Sequence, residues 1–167
     1  MKEIKENELI SLSSKVGRLL DEKDMTVATA ESCTGGQLSH ILTQVSGSSG
    51  YFVGGVIAYS NRIKEQILKV DSTTLIKYGA VSEETAQEMA QGICQKFKTS
   101  IGLSTTGIAG PTGGTPEKPV GLVWIGIHVD NQTHTYKCNF KGGRGTVKIS
   151  TVKRVLTELL EILEYSN

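Results

Sequence analysis

Three short apolar runs, each rich in strand-forming residues, end at a polar turn. The runs cover residues 25–30, 51–59 and 100–105, and the turns that follow them cover residues 31–36, 59–64 and 106–121. After the first two turns, apolar residues recur at helical spacing. Strands that alternate with helices in this way constrain the chain to an α/β fold, in which helices cover the faces of a sheet.

The rest of the chain extends this pattern. Apolar spacing and cap residues predict helices over 6–22, 37–45, 60–68, 72–78 and 82–97, and a closing helix whose apolar residues run from Val152 to Leu163. Alternating arms at 122–129 and 133–140 predict a hairpin around Asp130 and Asn131. We therefore expect a three-layer α/β/α sandwich with a mixed, mostly parallel central sheet. Residues 1–167 are expected to form a single domain, since no boundary or repeat is visible.

Composition excludes several classes of function. A formal net charge of +1 over 167 residues argues against nucleic acid and anionic membrane as partners. No apolar run is long enough to span a membrane, and residues 1–10 have no signal-peptide core. Cys33, Cys94 and Cys138 form no C-x-x-C pair, so neither a metal site nor a disulfide framework is expected. The expected compartment is the cytoplasm.

The turn at 31–36 holds the first candidate nucleophiles. Ligands of open α/β sheets bind beyond the carboxyl ends of the strands, which is where all three polar turns are expected. Ser32 would lie at a strand-to-helix turn, although the motif G-x-S-x-G is absent. A simpler interpretation is that Ser32 or Thr34 only caps the following helix. Cys33 is a rival nucleophile if a helix N-terminus lowers its pKa.

Two further segments supply a candidate base and a rival serine. Lys64 lies about one turn into the helix that follows Tyr59, and it can act as a general base if burial lowers its pKa. The alternative is an ordinary solvated lysine. Ser48 and Ser49 lie in a glycine-flanked loop from which either hydroxyl could reach the site. No histidine stands beside a candidate serine, so a Ser-His-Asp triad is not supported.

The segment 107–121 has five glycines and three prolines in 15 positions. Such a loop is typical of a functional segment, and its glycines let backbone N–H groups approach a ligand closely. Lys118 could add charge to it. Residues 142–145 form a second glycine cluster in which Arg144 could contact a phosphate, or they form an ordinary loop with one exposed arginine.

Several motifs, taken together and in order, resemble the C-terminal domain of the CinA (competence/damage-inducible protein) family. They are the residues TAESCTGG at 29–36, GSS at 47–49, YSN at 59–61 with Lys64, GAVS at 79–82, GIAGPTGG at 107–114 and KPVG at 118–121. The chain has about the length of the family's stand-alone amidase form. It is expected to contain only that part, without the molybdopterin-binding-like domain of the longer members.

The resemblance implies a metal-independent serine amidohydrolase without a cofactor. It would convert nicotinamide mononucleotide, a pyridine nucleotide, to nicotinate mononucleotide and ammonia through a Ser/Lys dyad. On this basis the expected catalytic residues are Ser32 and Lys64, with Ser48 as the alternative nucleophile and Tyr59 as an orienting group. The expected substrate-binding residues are Glu31, Thr34, Gly35, Gly36, Ser49, Asn61, Thr106, Gly107, Gly110, Gly113, Gly114, Lys118 and Arg144.

A different class of function fits the same glycine-rich turns. They would equally serve a nucleotide-binding module without catalysis, or a partner-binding regulator in DNA uptake or repair. The two classes differ in whether a bound nucleotide is returned unchanged. The long apolar closing helix also leaves room for a homo-oligomer.

Overall fold

The computed structural model describes residues 6–165. Residues 1–5 and 166–167 lie outside the described part. Residues 1–5 belong to the segment at 1–10 in which the sequence shows no signal-peptide core. The helices of the described part are α1 (Glu6–Glu22), α2 (Gln37–Thr43), α3 (Asn61–Leu68), α4 (Ser72–Tyr78), α5 (Glu83–Phe97) and α6 (Arg144–Tyr165). Its strands are β1 (Val27–Glu31), β2 (Phe52–Ile57), β3 (Ile101–Gly107), β4 (Leu122–Val129) and β5 (Gln132–Asn139).

The five strands form one mixed sheet in the order β2–β1–β3–β4–β5. Strand β1 pairs in parallel with β2 and β3, whereas β4 is antiparallel to both β3 and β5. Only β4 therefore runs against the direction of the other described strands. In the parallel register Glu31 lies opposite Ile57 on one side and Thr105 on the other, so these three strands end at a common edge.

Helices cover both faces of the sheet, which confirms the three-layer prediction. On one face α1, α2 and α6 pack over alternate residues of the sheet, such as Leu103 and Ile125, to form the larger core. On the other face α3, α4 and α5 enclose a smaller core around Ala28, Ala30 and Met89. Two apolar faces on a single sheet are the physical reason for the layered architecture.

Side-chain caps fix the starts of three helices, α3, α4 and α5, where the sequence predicts them. The Ser60 side chain accepts a hydrogen bond from the Ile63 N–H, and Ser82 accepts one from the Thr85 N–H. Asp130 and Asn131 both have positive φ, as a tight hairpin turn requires. The prediction of a loop at 142–145 is wrong at its end, because α6 already begins at Arg144.

Strand β2 also differs from its prediction as a buried strand. It lies at the edge of the sheet, where Val53 and Ile57 are half-exposed. Gly55 lets it approach β1, because a Cβ atom there would lie 2.2 Å from the Thr29 hydroxyl oxygen. The apolar composition of β2 predicts a strand but carries no information on strand order.

The closing helix α6 uses its apolar face within the chain. Val152, Val155, Leu156 and Leu159 are fully buried in the core that α1 and the sheet share with α6. This face is therefore already covered, and the reason for expecting an oligomer through it no longer holds. Within residues 6–165, no helix combines the length and apolar character needed to cross a membrane.

Candidate functional site

A cavity of about 260 Å³ opens at the carboxyl edge of the sheet, beyond the ends of β1 and β3. Its walls come from all three polar turns: Ser32 with Cys33, the Tyr59–Lys64 segment, and most of the loop between Thr106 and Gly113. Arg144 at the start of α6 closes one side. The fold thus brings together segments that are far apart in sequence, as expected for the edge of an open α/β sheet.

Ser32 and Lys64 lie in direct contact in this cavity. The Lys64 Nζ is 3.2 Å from the Ser32 Oγ and also donates a hydrogen bond of 2.8 Å to the Ala58 carbonyl. Ser32 is 8% exposed and Lys64 only 1% exposed. Ser32 is placed by the turn after β1, and Lys64 by the inward face of α3, which also buries Leu68 one turn later.

The Lys64 amine occupies a site that disfavours its charged form. Burial lowers the pKa of Lys64, while the nearby Cys33 thiol acts in the opposite, raising direction. No residue that lines the cavity is acidic, so no carboxylate there offsets the burial. A lysine with a lowered pKa, in hydrogen-bond contact with a serine hydroxyl, can accept that hydroxyl's proton.

Cys33 also lines the cavity, but its chemistry differs from that of Ser32. Burial raises the pKa of the Cys33 thiol to about 12, so the thiolate is disfavoured at neutral pH. Nearby Glu31 adds to this increase, while hydrogen bonding to the cysteine's own backbone lowers it in part. Of the two rival nucleophiles in this turn, the geometry favours Ser32.

Seven other predicted residues line the cavity. Tyr59 and Asn61 are exposed at its rim, and Arg144 donates a hydrogen bond of 2.6 Å from its Nε to the Gly110 carbonyl. Thr106 is buried in the wall, and its hydroxyl donates to the Ala80 carbonyl at 2.6 Å. Gly107, Gly110 and Gly113 line the cavity as well.

Part of the predicted binding set lies elsewhere. Glu31 is 1% exposed, and its carboxylate faces the start of α2 instead of the cavity. Thr34 is fully buried behind the turn, where its hydroxyl bonds to Glu31. Gly35 and Gly36 border a separate shallow depression beside α6. These four residues are therefore not part of the cavity wall around Ser32.

The remaining predicted residues lie outside the cavity too. Ser48 and Ser49 form a single 3₁₀ turn before β2, whose first residue lies opposite Val27 at the start of β1. Since Ser32 follows the last residue of β1, the two serine sites are about 16 Å apart along the strands. Lys118 donates to the Tyr78 carbonyl at 2.6 Å, and Gly114 packs against Val120.

Some cavity residues were not among the predicted site residues. They are Ala80, Val81, Ile108, Ala109 and Thr112. Ala80 and Val81 belong to the connection between α4 and α5. The GAVS motif at 79–82 marked this segment, but small apolar side chains gave no chemical reason to assign them to the site. Among residues 6–165, no group of three or more His, Cys, Asp or Glu side chains is arranged to hold a metal ion.

The fold and the site together define an α/β sandwich with a buried serine–lysine pair at the carboxyl edge of its sheet. The model of the CinA C-terminal domain family matches residues 9–163. The chain belongs to this family. A "CinA-like protein" from Fusobacterium nucleatum is 51% identical over 144 residues, and one from Kosmotoga olearia is 52% identical over 138 residues.

These relatives are longer than this chain. The matches cover 86% and 83% of the chain but only 35% and 34% of the two relatives, so the chain spans about a third of their length. Solved structures match over nearly their whole length. The competence damage-inducible protein A from Klebsiella pneumoniae superposes with a TM-score of 0.92 at 34% identity, covering 95% of this chain and 99% of that one.

A second solved structure gives the same result. The competence/damage inducible protein CihA from Agrobacterium tumefaciens has a TM-score of 0.90 and 34% identity, and the match covers 98% of this chain and 99% of that chain. The names of these proteins describe competence and damage induction, not a reaction. The comparisons therefore establish the family and the fold.

Proposed function

We propose that the chain hydrolyses the carboxamide of nicotinamide mononucleotide, giving nicotinate mononucleotide and ammonia. The observation that supports this most is the contact of 3.2 Å between the Ser32 Oγ and the buried Lys64 Nζ. A serine hydroxyl is a weak nucleophile until a base takes its proton. Because burial lowers the pKa of Lys64, its amine is suited to that role.

The reaction begins when the neutral Lys64 amine removes the proton from the Ser32 hydroxyl as the oxygen attacks the carboxamide carbon. The tetrahedral intermediate then collapses, the C–N bond breaks, and Lys64 returns the proton to the departing ammonia. The remaining ester between Ser32 and the nicotinoyl group is hydrolysed by water. Lys64 deprotonates this water, and the Ser32 oxygen recovers the proton when the acid leaves.

The negative oxygen of the tetrahedral intermediate needs a hydrogen-bond donor close to Ser32. In β3 the odd-numbered residues direct their backbone groups toward β1, as shown by the hydrogen bond from the Ser32 N–H to the Thr105 carbonyl. The next N–H on that side belongs to Gly107, and the Ser32 carbonyl would be its partner if the pairing continued. That carbonyl accepts the Gly35 N–H instead, which leaves the Gly107 N–H available. We assign the Gly107 N–H as an oxyanion donor.

The nucleotide phosphate would bind at the rim, next to Arg144. Its Nε is held by the Gly110 carbonyl, which leaves the terminal nitrogens of the guanidinium to bind phosphate. No acidic residue lines the cavity to repel an anion. Tyr59 and Asn61, both exposed at the rim, would orient the ribose or the ring.

The test is ammonia release from nicotinamide mononucleotide in the presence of a chelator. Ser32→Ala and Lys64→Met should each reduce kcat by about 10³-fold or more, since both remove a reacting group. Ser48→Ala is the matched control, because Ser48 lies before β2 at the amino ends of the parallel strands, away from the cavity. This variant should retain wild-type activity.

Two results would contradict the proposal. One is a wild-type protein that binds the nucleotide but returns it unchanged, which would favour the non-catalytic nucleotide-binding class. The other is near wild-type turnover by Ser32→Ala with retained secondary structure, which would exclude Ser32 as the nucleophile. Circular dichroism of each variant separates loss of activity from loss of fold.

A further inference from the structure

The carboxylate of Glu31 lies directly behind Ser32 and is fully engaged by the protein. It is 1% exposed and accepts five hydrogen bonds of 2.6–3.0 Å. The donors are the Thr34 hydroxyl, the Gly36 N–H, the Leu38 N–H, and both the N–H and the hydroxyl of Ser39. Charge-assisted hydrogen bonds of this length are among the strongest in proteins.

These bonds use up the donors at the start of α2. Gly36, Leu38 and Ser39 donate to Glu31, while the N–H groups of Gly35 and Gln37 donate to the carbonyls of Ser32 and Thr34. The amino end of α2 is therefore closed by an internal carboxylate and has no donor left for a substrate anion. Glu31 acts on the protein itself.

Thr34 extends this arrangement to the neighbouring strand. Its hydroxyl donates to Glu31 at 2.6 Å and lies 2.7 Å from the Thr105 hydroxyl, which therefore donates to it. Thr105 also accepts the Ser32 N–H through its carbonyl at 2.9 Å. The short segment from Ser32 to Thr34 is thus fixed to β3 at both ends, and its first residue is the candidate nucleophile.

We propose that Glu31 and Thr34 are positioning residues, which hold the Ser32 Oγ within reach of the Lys64 amine. Neither residue touches the cavity, so each acts through the conformation of the turn. This inference rests on the proposed function in one respect, because it requires Ser32 to be the nucleophile. A displacement of about 1 Å at a reacting group can reduce the rate by about 10²-fold.

Thr34 gives the sharpest test, because Glu31 variants risk losing the fold. Thr34→Val removes the hydroxyl at constant shape, and Thr34→Ser restores it. Thr151→Val is the matched control: it removes another fully buried threonine hydroxyl, which donates to the Val147 carbonyl in α6. The readouts are kcat and KM for nicotinamide mononucleotide, the thermal unfolding midpoint, and the rate at which a fluorophosphonate probe labels Ser32.

For Thr34→Val we expect kcat to fall by about 10-fold or more with KM within about 2-fold, and probe labelling to slow by a similar factor. Thr34→Ser should recover both rates. Thr151→Val should lower the unfolding midpoint but leave kcat and labelling at wild-type values. Wild-type kcat and labelling in Thr34→Val would overturn the proposal, as would an equal loss of both in Thr151→Val.

The probe separates this inference from the proposed substrate. If the wild type releases no ammonia but Ser32 is labelled, the proposed reaction fails while the labelling ratios still test the positioning role. If Ser32 in the wild type is not labelled at all, it is not an activated nucleophile and the positioning role is overturned as well. Glu31→Gln adds a second test where it folds, and its labelling should slow in the same way as that of Thr34→Val.

Discussion

Replacing Lys64 with methionine should change the pH dependence of stability as well as remove activity. In wild-type protein, burial lowers the pKa of Lys64 in the folded state below the ordinary value of 10.5. Between those two values the unfolded chain binds more protons than the folded protein. Wild-type stability therefore rises with pH across this window, because stability increases wherever the unfolded state holds the extra proton.

The size of the effect follows from the single proton involved. Its linkage contributes at most about 1.4 kcal/mol per pH unit within the window. The substitution also leaves the Ala58 carbonyl without the 2.8 Å hydrogen bond from Lys64, at a pH-independent cost of about 1–3 kcal/mol. The free energy of unfolding of Lys64→Met, relative to that of wild type, should therefore be highest below the folded-state pKa of Lys64. This difference should decrease as the pH rises toward 10.5.

Urea denaturation followed by circular dichroism, from pH 6 to pH 10 with a reductant present, measures the free energy of unfolding of both proteins. Lys15→Met is the control, because it replaces an exposed lysine of α1 and should keep the pH dependence of wild type. If the curves for Lys64→Met and wild type stay parallel over the whole range, Lys64 binds its proton equally in both states. Burial would then not be what makes its amine available as a base.

Two more substitutions test recognition and packing. Arg144→Ala should raise KM for nicotinamide mononucleotide by about 10-fold with little change in kcat, while KM for the riboside without phosphate stays the same; equal effects on both compounds would contradict a phosphate contact. Gly92→Ala should destabilise the protein by about 1–3 kcal/mol, because its Cβ would lie 1.9 Å from the Leu68 carbonyl oxygen. Its control is Gly145→Ala, which meets no atom within 4 Å and should be neutral or slightly stabilising in thermal unfolding.

Local signals predicted the elements of this fold well. Helix α3 begins after the Ser60 cap and α5 after the Ser82 cap, because a serine side chain that accepts a backbone N–H acts within a few residues. The start of α6 could not be predicted in the same way. Glycines at 142, 143 and 145 favour a loop, and the packing of Val147 and the residues after it decides where the helix begins.

The position of the two serine segments follows from a rule that sequence reasoning could have applied. A residue that follows a parallel strand lies at the carboxyl ends of the strands, whereas a residue that precedes the next parallel strand lies at their amino ends. Ser32 follows β1 and Ser48 precedes β2, so only Ser32 can share an edge with Lys64. The rival serine could therefore have been set aside once parallel pairing was expected.

Other features of the site depend on contacts that sequence does not contain. Lys64 shares the inward face of α3 with Leu68, four residues later, and this spacing was the available sign of its burial. For Glu31, its position at the start of the polar turn after β1 fits a contact with a ligand as well as it fits a contact with the protein's own backbone. Only the folded path of residues 32–39 shows that the carboxylate bonds to its own helix.

The path of the chain separates the serine–lysine pair from the part of the cavity wall that faces it. Ser32 and Lys64 are 32 residues apart and both belong to the segment from β1 to α3, whereas the facing wall comes from Ala80 onward. Substitutions, insertions or deletions in the exposed loop after Gly110 can thus reshape the entrance without disturbing the pair. Under the proposed function, changes in this loop would adapt the chain to a different carboxamide, while the segment from β1 to α3 and strand β3 are inherited unaltered.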